Sequence, residues 1–243
     1  MYRKGKQIYD GKAKTLFEIE GDPTLLYQEF KNSLTAFNGV KTGSFESKGS
    51  TNRDISSRIF HLLREKGVPL HWVADEGLNG MVIKRLQIFP LEVVVRNVAA
   101  GSLAKRLGWE EGVRLPTSLV ELYFKNDALG DPFINEDHAV LLKAANHDEI
   151  VRLKKLAREI NIHLVDIFSR IGLDLVDFKL EFGKLPDGSI LLGDEITPDC
   201  CRLWDKQTRE KMDKDRFRRD LGRVQESYEE VLQRLQSKDG GAR

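Results

Sequence analysis

The chain has few of the residues that would hold it together covalently or carry it into a membrane. Only two of its 243 residues are cysteine, and these are the neighbours Cys200 and Cys201. Adjacent cysteines rarely meet disulfide geometry, so both are expected as free thiols in a reducing cytosol. No apolar run approaches the roughly 20 residues of a bilayer-spanning helix, and residues 1–7 carry charge without the apolar stretch of a signal peptide. A soluble, cytoplasmic protein is the expectation. An excess of one charge is also missing, because 39 lysines and arginines face 38 aspartates and glutamates. No overall field draws the chain to nucleic acid or to an anionic membrane, so any anion must be recognised locally. The five histidines show no metal-ligand spacing, and no serine is flanked by glycines as in a nucleophile elbow. Zinc-enzyme and serine-hydrolase readings therefore have no support.

What is present is a chain long enough to bury a core without staples, as one large domain or two small lobes. Residues 15–19, 25–30 and 81–86 read as strands, with turn signals at Gly21-Asp22-Pro23 and Glu76-Gly77. A helix over 53–66 places Ile55, Ile59, Leu62 and Leu63 on one face, with Gly67 as its stop. The β-branched run 91–95 predicts a buried strand of a second lobe, and 84–90 a hinge before it. A long amphipathic helix is expected over 148–171, stopped by Gly172. Phe217, Leu221, Val224, Tyr228, Val231 and Leu235 alternate spacings of four and three, as a core face or a subunit contact. Strands at 174–182 and 189–197 complete an α+β layout. We expect lobes at 1–86 and 87–236, and a frayed tail at 237–243.

Pro186-Asp187-Gly188 joins the last two strands, and a two-residue Asp187-Gly188 turn would be of the favoured type I′. Glu181 would then lie opposite Asp194, and two like charges so placed call for a shared cation. A longer loop would shift the register and leave both acids solvated. Period-two alternation puts Asp177, Lys179 and Glu181 on one face and Val176, Phe178, Leu180 and Phe182 on the other. That is a charged line suited to nucleotide phosphates, or a half-buried strand with solvated charges. Gly11 with Lys12 and Lys14 starts a strand where backbone and cations could meet a polyphosphate, though a plain turn has the same composition. It lacks the spacing of a Walker loop. Arg96 to Ser102 follows the 91–95 strand and opens a short helix over 103–107, with Ser102 as N-cap and Gly108 as stop. Free amides there and the Arg96 fork suit a phosphate; alternatively Ser102 only caps and Arg96 only pairs with an acid. Lys125-Asn126-Asp127 alone is a loop, and Arg202 follows the Asp194 strand closely enough to return over the same site.

Taken in order, Tyr9-Asp10-Gly11-Lys12-Ala13-Lys14, Val95-Arg96-Asn97-Val98-Ala99-Ala100-Gly101-Ser102, Lys125-Asn126-Asp127, Asp177-Phe178-Lys179-Leu180-Glu181-Phe182-Gly183 and Gly193-Asp194-Glu195 through Arg202-Leu203-Trp204-Asp205 span nearly the whole chain. Together they closely resemble the phosphoribosylaminoimidazole-succinocarboxamide synthase family. The resemblance implies a small antiparallel ATP-covering lobe and a larger α+β lobe for an imidazole ribotide. It implies ligation of L-aspartate to carboxyaminoimidazole ribotide with ATP and Mg²⁺, and we expect a homodimer. By the same resemblance Lys12, Lys14 and Lys125 contact the nucleotide, Lys84 and Ile88 the adenine, and Glu181 and Asp194 the Mg²⁺. Arg96, Ser102 and Arg202 surround the ribotide, and Asp177 and Lys179 stand near the reacting end. Asn38 occupies a place where many relatives carry aspartate and is assigned a ribotide contact. The competing readings are a small-molecule kinase with a related ATP lobe and a silent nucleotide-binding scaffold.

Overall fold

The computed structural model describes residues 2–37 and 39–237. Its first third holds β1 (Lys4–Asp10), β2 (Lys14–Ile19), β3 (Asp22–Phe30), β4 (Ser33–Ala36), β5 (Lys41–Ser44), α1 (Lys48–Glu65), β6 (Trp72–Glu76) and β7 (Gly80–Lys84). Five of these strands form an antiparallel sheet in the order β1-β2-β3-β7-β6. β1 was not expected, because its residues are almost all exposed and show no period-two pattern. Helix α1 starts at Lys48, five residues before the expected start at 53. Gly49 allows this: a Cβ there would lie 2.7 Å from the Phe30 carbonyl oxygen, and the Gly49 amide donates to Asn32.

The remainder holds β8 (Gln87–Ile88), β9 (Leu91–Val98), α2 (Gly101–Leu107), β10 (Arg114–Phe124), β11 (Phe133–Ile134), α3 (Glu136–Leu141), α4 (His147–Arg170), β12 (Leu173–Lys184), β13 (Ile190–Gly193), β14 (Cys201–Asp205), α5 (Asp215–Arg218) and α6 (Val224–Ser237). Seven of its strands form the second sheet, along the path β11-β10-β9-β12-β13 with β8 and β14 also on β12. The α+β class is thus observed as expected. Helix α4 lays Ile150, Leu153, Ala157, Ile160, Leu164 and Phe168 against this sheet, its first turn closed by a capping box between Asn146 and Glu149.

The sheets divide between β7 and β8, but the interior does not. One continuous apolar cluster runs from Leu26, Phe30 and Phe60 beneath the first sheet to Val93, Leu164 and Phe182 beneath the second. The main chain crosses as well: the His71 amide donates to Leu192 O, and the Leu192 amide to Pro69 O. The C-terminal pattern breaks at Asp220, Gly222 and Arg223, all with positive φ, so Leu221 falls outside α6 and is 47% exposed. Tyr228, Val231 and Leu235 are buried and α6 packs on α1, which makes this face core. Ser237 ends α6, and the rest of the expected frayed tail lies outside the described residues.

Candidate active site

Strand β12 places the site. Its face of Asp177, Lys179 and Glu181 is charged as expected but turned inward, with Asp177 and Glu181 buried. Register assigns the partners. Asp177 pairs with Arg96 of β9 on one side and Arg202 of β14 on the other. Arg96 Nη1 donates to Asp177 at 2.7 Å, and Arg202 Nη1 reaches both Asp177 oxygens at 2.9 and 3.0 Å. Arg96 Nε also donates to Glu121 at 2.6 Å, and its Nη2 to Ser102 and Tyr123. Arg202 Nε donates to Asp215 at 3.0 Å. Burial alone would lower the pKa of both arginines, but Asp177 with Glu121 or Asp215 outweighs it and raises them.

The expected cap at Ser102 is not made. Helix α2 begins two residues earlier, after Ala100, and the Ser102 hydroxyl instead accepts from Arg96. Gly101 has φ +54°, and a Cβ there would sit 2.7 Å from Arg202 Nη2. The glycine before Ser102 is therefore a clearance for the arginine of a distant strand.

Farther along β12 the cations are lysines. Lys179 donates to Glu92 at 2.8 Å and to Glu181 at 3.1 Å, and Lys125 pairs with the other Glu181 oxygen. From the first sheet Lys14 pairs with Asp194 and Glu195. Burial pushes the Glu181 carboxyl up, but Lys179, Lys125 and Lys14 together hold it at about 2. Burial lowers the Lys179 pKa, but Glu181 and Glu92 outweigh it and raise it. Both groups are charged at neutral pH.

The expected facing of Glu181 and Asp194 across a two-residue turn is corrected by the register. Glu181 pairs with Gly193, and Lys184 with Ile190. A five-residue connection closes by the Leu185 amide donating to Ser189 O. Type I′ needs positive φ at both central residues, and only Gly188 has it. The Asp187 side chain instead accepts the Ser189 amide, a local bond that selects a longer turn. Strand β13 ends at Gly193, and Asp194 turns into the left-handed region at φ 61°. Each acid meets a lysine, so no repulsion between them awaits relief. Among the described residues no three metal-ligating side chains converge. Two carboxylates still suit a hard divalent cation that takes its other ligands from phosphate and water.

A cavity of about 360 Å³ lies over this face, lined by Lys12, Arg96, Ser102, Asp177, Lys179 and Arg202 among the expected residues. Lys14, Lys125, Glu181 and Asp194 join it through the Lys179 cluster rather than lining it. Lys12 pairs with Asp127 at 2.6 Å. Lys84, at the exposed end of β7, and Ile88, 43% exposed in β8, are not brought to this cavity. Ile88 borders a second cleft with Phe89, Asn146 and Lys184. Asn38 lies outside the described residues. Sequence reasoning missed Glu92, Glu121, Tyr123, Asp199, Lys214 and Asp215. Alternation along 119–124 could have found Glu121 and Tyr123; Asp215 carries no local signal.

The SAICAR synthetase family profile matches residues 7–235. The chain is 54% identical over 233 residues to the phosphoribosylaminoimidazole-succinocarboxamide synthase of Wolinella succinogenes, covering 96% of this chain and 98% of that one. It is 50% identical over 234 residues to the enzyme of the same name from Shouchella clausii, covering 96% and 97%. A solved structure described as SAICAR synthetase (Type-2) in complex with ADP superposes with a TM-score of 0.91 at 46% identity, over 95% of this chain and 97% of that one.

Proposed function

Because this chain belongs to the SAICAR synthetase family, we propose that it ligates L-aspartate to the carboxylate of carboxyaminoimidazole ribotide in purine biosynthesis, converting ATP to ADP and phosphate. The family is one of ligases, which displaces the kinase and scaffold readings. Residues 1–86 would cover the nucleotide and residues 87–236 hold the ribotide.

A carboxylate oxygen is a poor leaving group, so the acid must be activated before an amine can displace it. In the reading proposed, a ribotide carboxylate oxygen attacks the γ-phosphorus of ATP and ADP leaves. The amine of L-aspartate then attacks the acyl carbon, phosphate departs with the oxygen, and the nitrogen loses a proton to become the amide. Arg96, Ser102 and Arg202 would hold the ribotide, with Asp177 fixing both arginine planes. Lys12, Lys14 and Lys125 would bind the nucleotide phosphates, and Lys84 and Ile88 would border the adenine. Glu181 and Asp194 would hold Mg²⁺, which supplies positive charge beside the transferring group. Two anionic reactants must meet, so positioning and charge neutralisation carry most of the rate gain.

The observation that supports this best is the place of Lys179. It lines the cavity, and it is hydrogen-bonded to Glu181, which Lys125 also holds and beside which Lys14 lies. One ammonium thus stands between the expected ribotide and nucleotide ends. An ADP-release assay with the ribotide tests the function. ADP should form only when L-aspartate is added, together with an amide product; release without the amino acid would overturn the reading.

A further inference from the structure

Among the described residues, six cations line the cavity over β12: Lys12, Arg96, Lys179, Arg202, Lys214 and Arg218. Five already hydrogen-bond to carboxylates, Lys12 to Asp127, Arg96 and Arg202 to Asp177, Lys179 to Glu92, and Arg218 to Asp215. Among the described residues, the Lys214 ammonium makes no hydrogen bond. Its nearest acid oxygen, on Asp199, is 3.9 Å away, too far to count as one.

Asp199 does not need Lys214. Lys48, itself 1% exposed, donates to it at 2.5 Å, Asn52 at 3.0 Å, and Tyr228 to its other oxygen at 2.9 Å. Three donors from α1 and α6 thus already hold it. Lys214 is nonetheless held in place, because its amide donates to Pro198 O and its carbonyl accepts from Arg218 at the start of α5. Its side chain is only 16% exposed. Burial lowers its pKa, opposed by Asp199 and reinforced by Arg218 and Lys48. A poorly solvated ammonium on an anchored stretch of backbone, without a hydrogen-bond partner and facing a cavity, suits an oxyanion.

We propose that Lys214 binds a carboxylate of the amino-acid substrate. A carboxylate lies beside this cation: Asp199, which also lines the cavity, has an oxygen 3.9 Å from the Lys214 ammonium. An acid beside the cation suits a ligand carrying an ammonium as well as carboxylates. The assignment rests on the ligase reading above.

The test is steady-state kinetics of Lys214→Met and Lys214→Arg beside the wild type, with each substrate varied in turn. Loss of a charged hydrogen bond should raise KM for L-aspartate by about tenfold to a hundredfold in Lys214→Met. KM for ATP and for the ribotide should stay within about twofold, and Lys214→Arg should recover most of the loss. A purely structural role would instead lower kcat and melting temperature without singling out one substrate. An unchanged KM for L-aspartate, or a rise confined to the ribotide or ATP, overturns the assignment while the wild type still responds to L-aspartate. A wild type that releases no ADP in response to L-aspartate sinks the ligase reading, and this inference with it.

Discussion

The two halves of β12's charged face solve the burial of charge differently. Around Asp177 the cations are arginines, and Arg96 is 4% exposed with four hydrogen-bonding partners. Around Glu181 they are lysines, 30% exposed at Lys179 and 40% at Lys125, each with one or two acids. A guanidinium presents several donors in a rigid plane, whereas an ammonium is a point charge on a flexible stem. The arginine half is a frame set before any ligand arrives. The lysine half is a set of charges whose partners can be exchanged when a ligand arrives.

Three substitutions would sharpen or break that contrast. The largest effect is expected from Arg96→Ala, which leaves Asp177 and Glu121 buried without a shared partner and should reduce stability by about 3–5 kcal/mol. Urea unfolding measures this, and a loss below about 1 kcal/mol would mean the arginines are not a frame. Lys179→Met should lower turnover about 10²- to 10³-fold, with a smaller stability loss than Arg96→Ala; near-normal ADP release would remove Lys179 from the chemistry. Lys125→Gln should change stability at neutral pH by less than about 1 kcal/mol, since the lysine is partly solvated. Its effect appears in acid. The Glu181 carboxyl is depressed from 4.5 to about 2, so its contribution is complete above the higher value and is lost as pH falls through the lower. Without Lys125 that depression shrinks, and acid unfolding should begin at higher pH than in the wild type. An unmoved acid midpoint would show that Lys125 does not hold Glu181 down.

The arginine half and the lysine half were not equally legible in the sequence. Alternation along 176–182 set the charged and apolar faces of β12 correctly, because the period of a strand is local information. Which strands lie beside β12 is not local. Glu121 on β10 reaches Arg96 across a sheet whose order sequence spacing does not reveal, and Asp215 comes from a helix of four residues. The hairpin failed by a single residue because one side-chain bond, Asp187 to the Ser189 amide, favours a longer turn. A slip of one residue was enough to misplace Asp194. The motif around Gly101 was visible, but its reason was not, since the clearance it makes is for Arg202, about a hundred positions away.

A break in the polypeptide between residues 86 and 87 would cut no strand pairing within the first sheet, whose members all precede it. It would nevertheless split the one apolar interior. The leading fragment would lose α6, the cover of α1 supplied by the far end of the chain. The trailing fragment would be left with Tyr228, Val231 and Leu235 facing water.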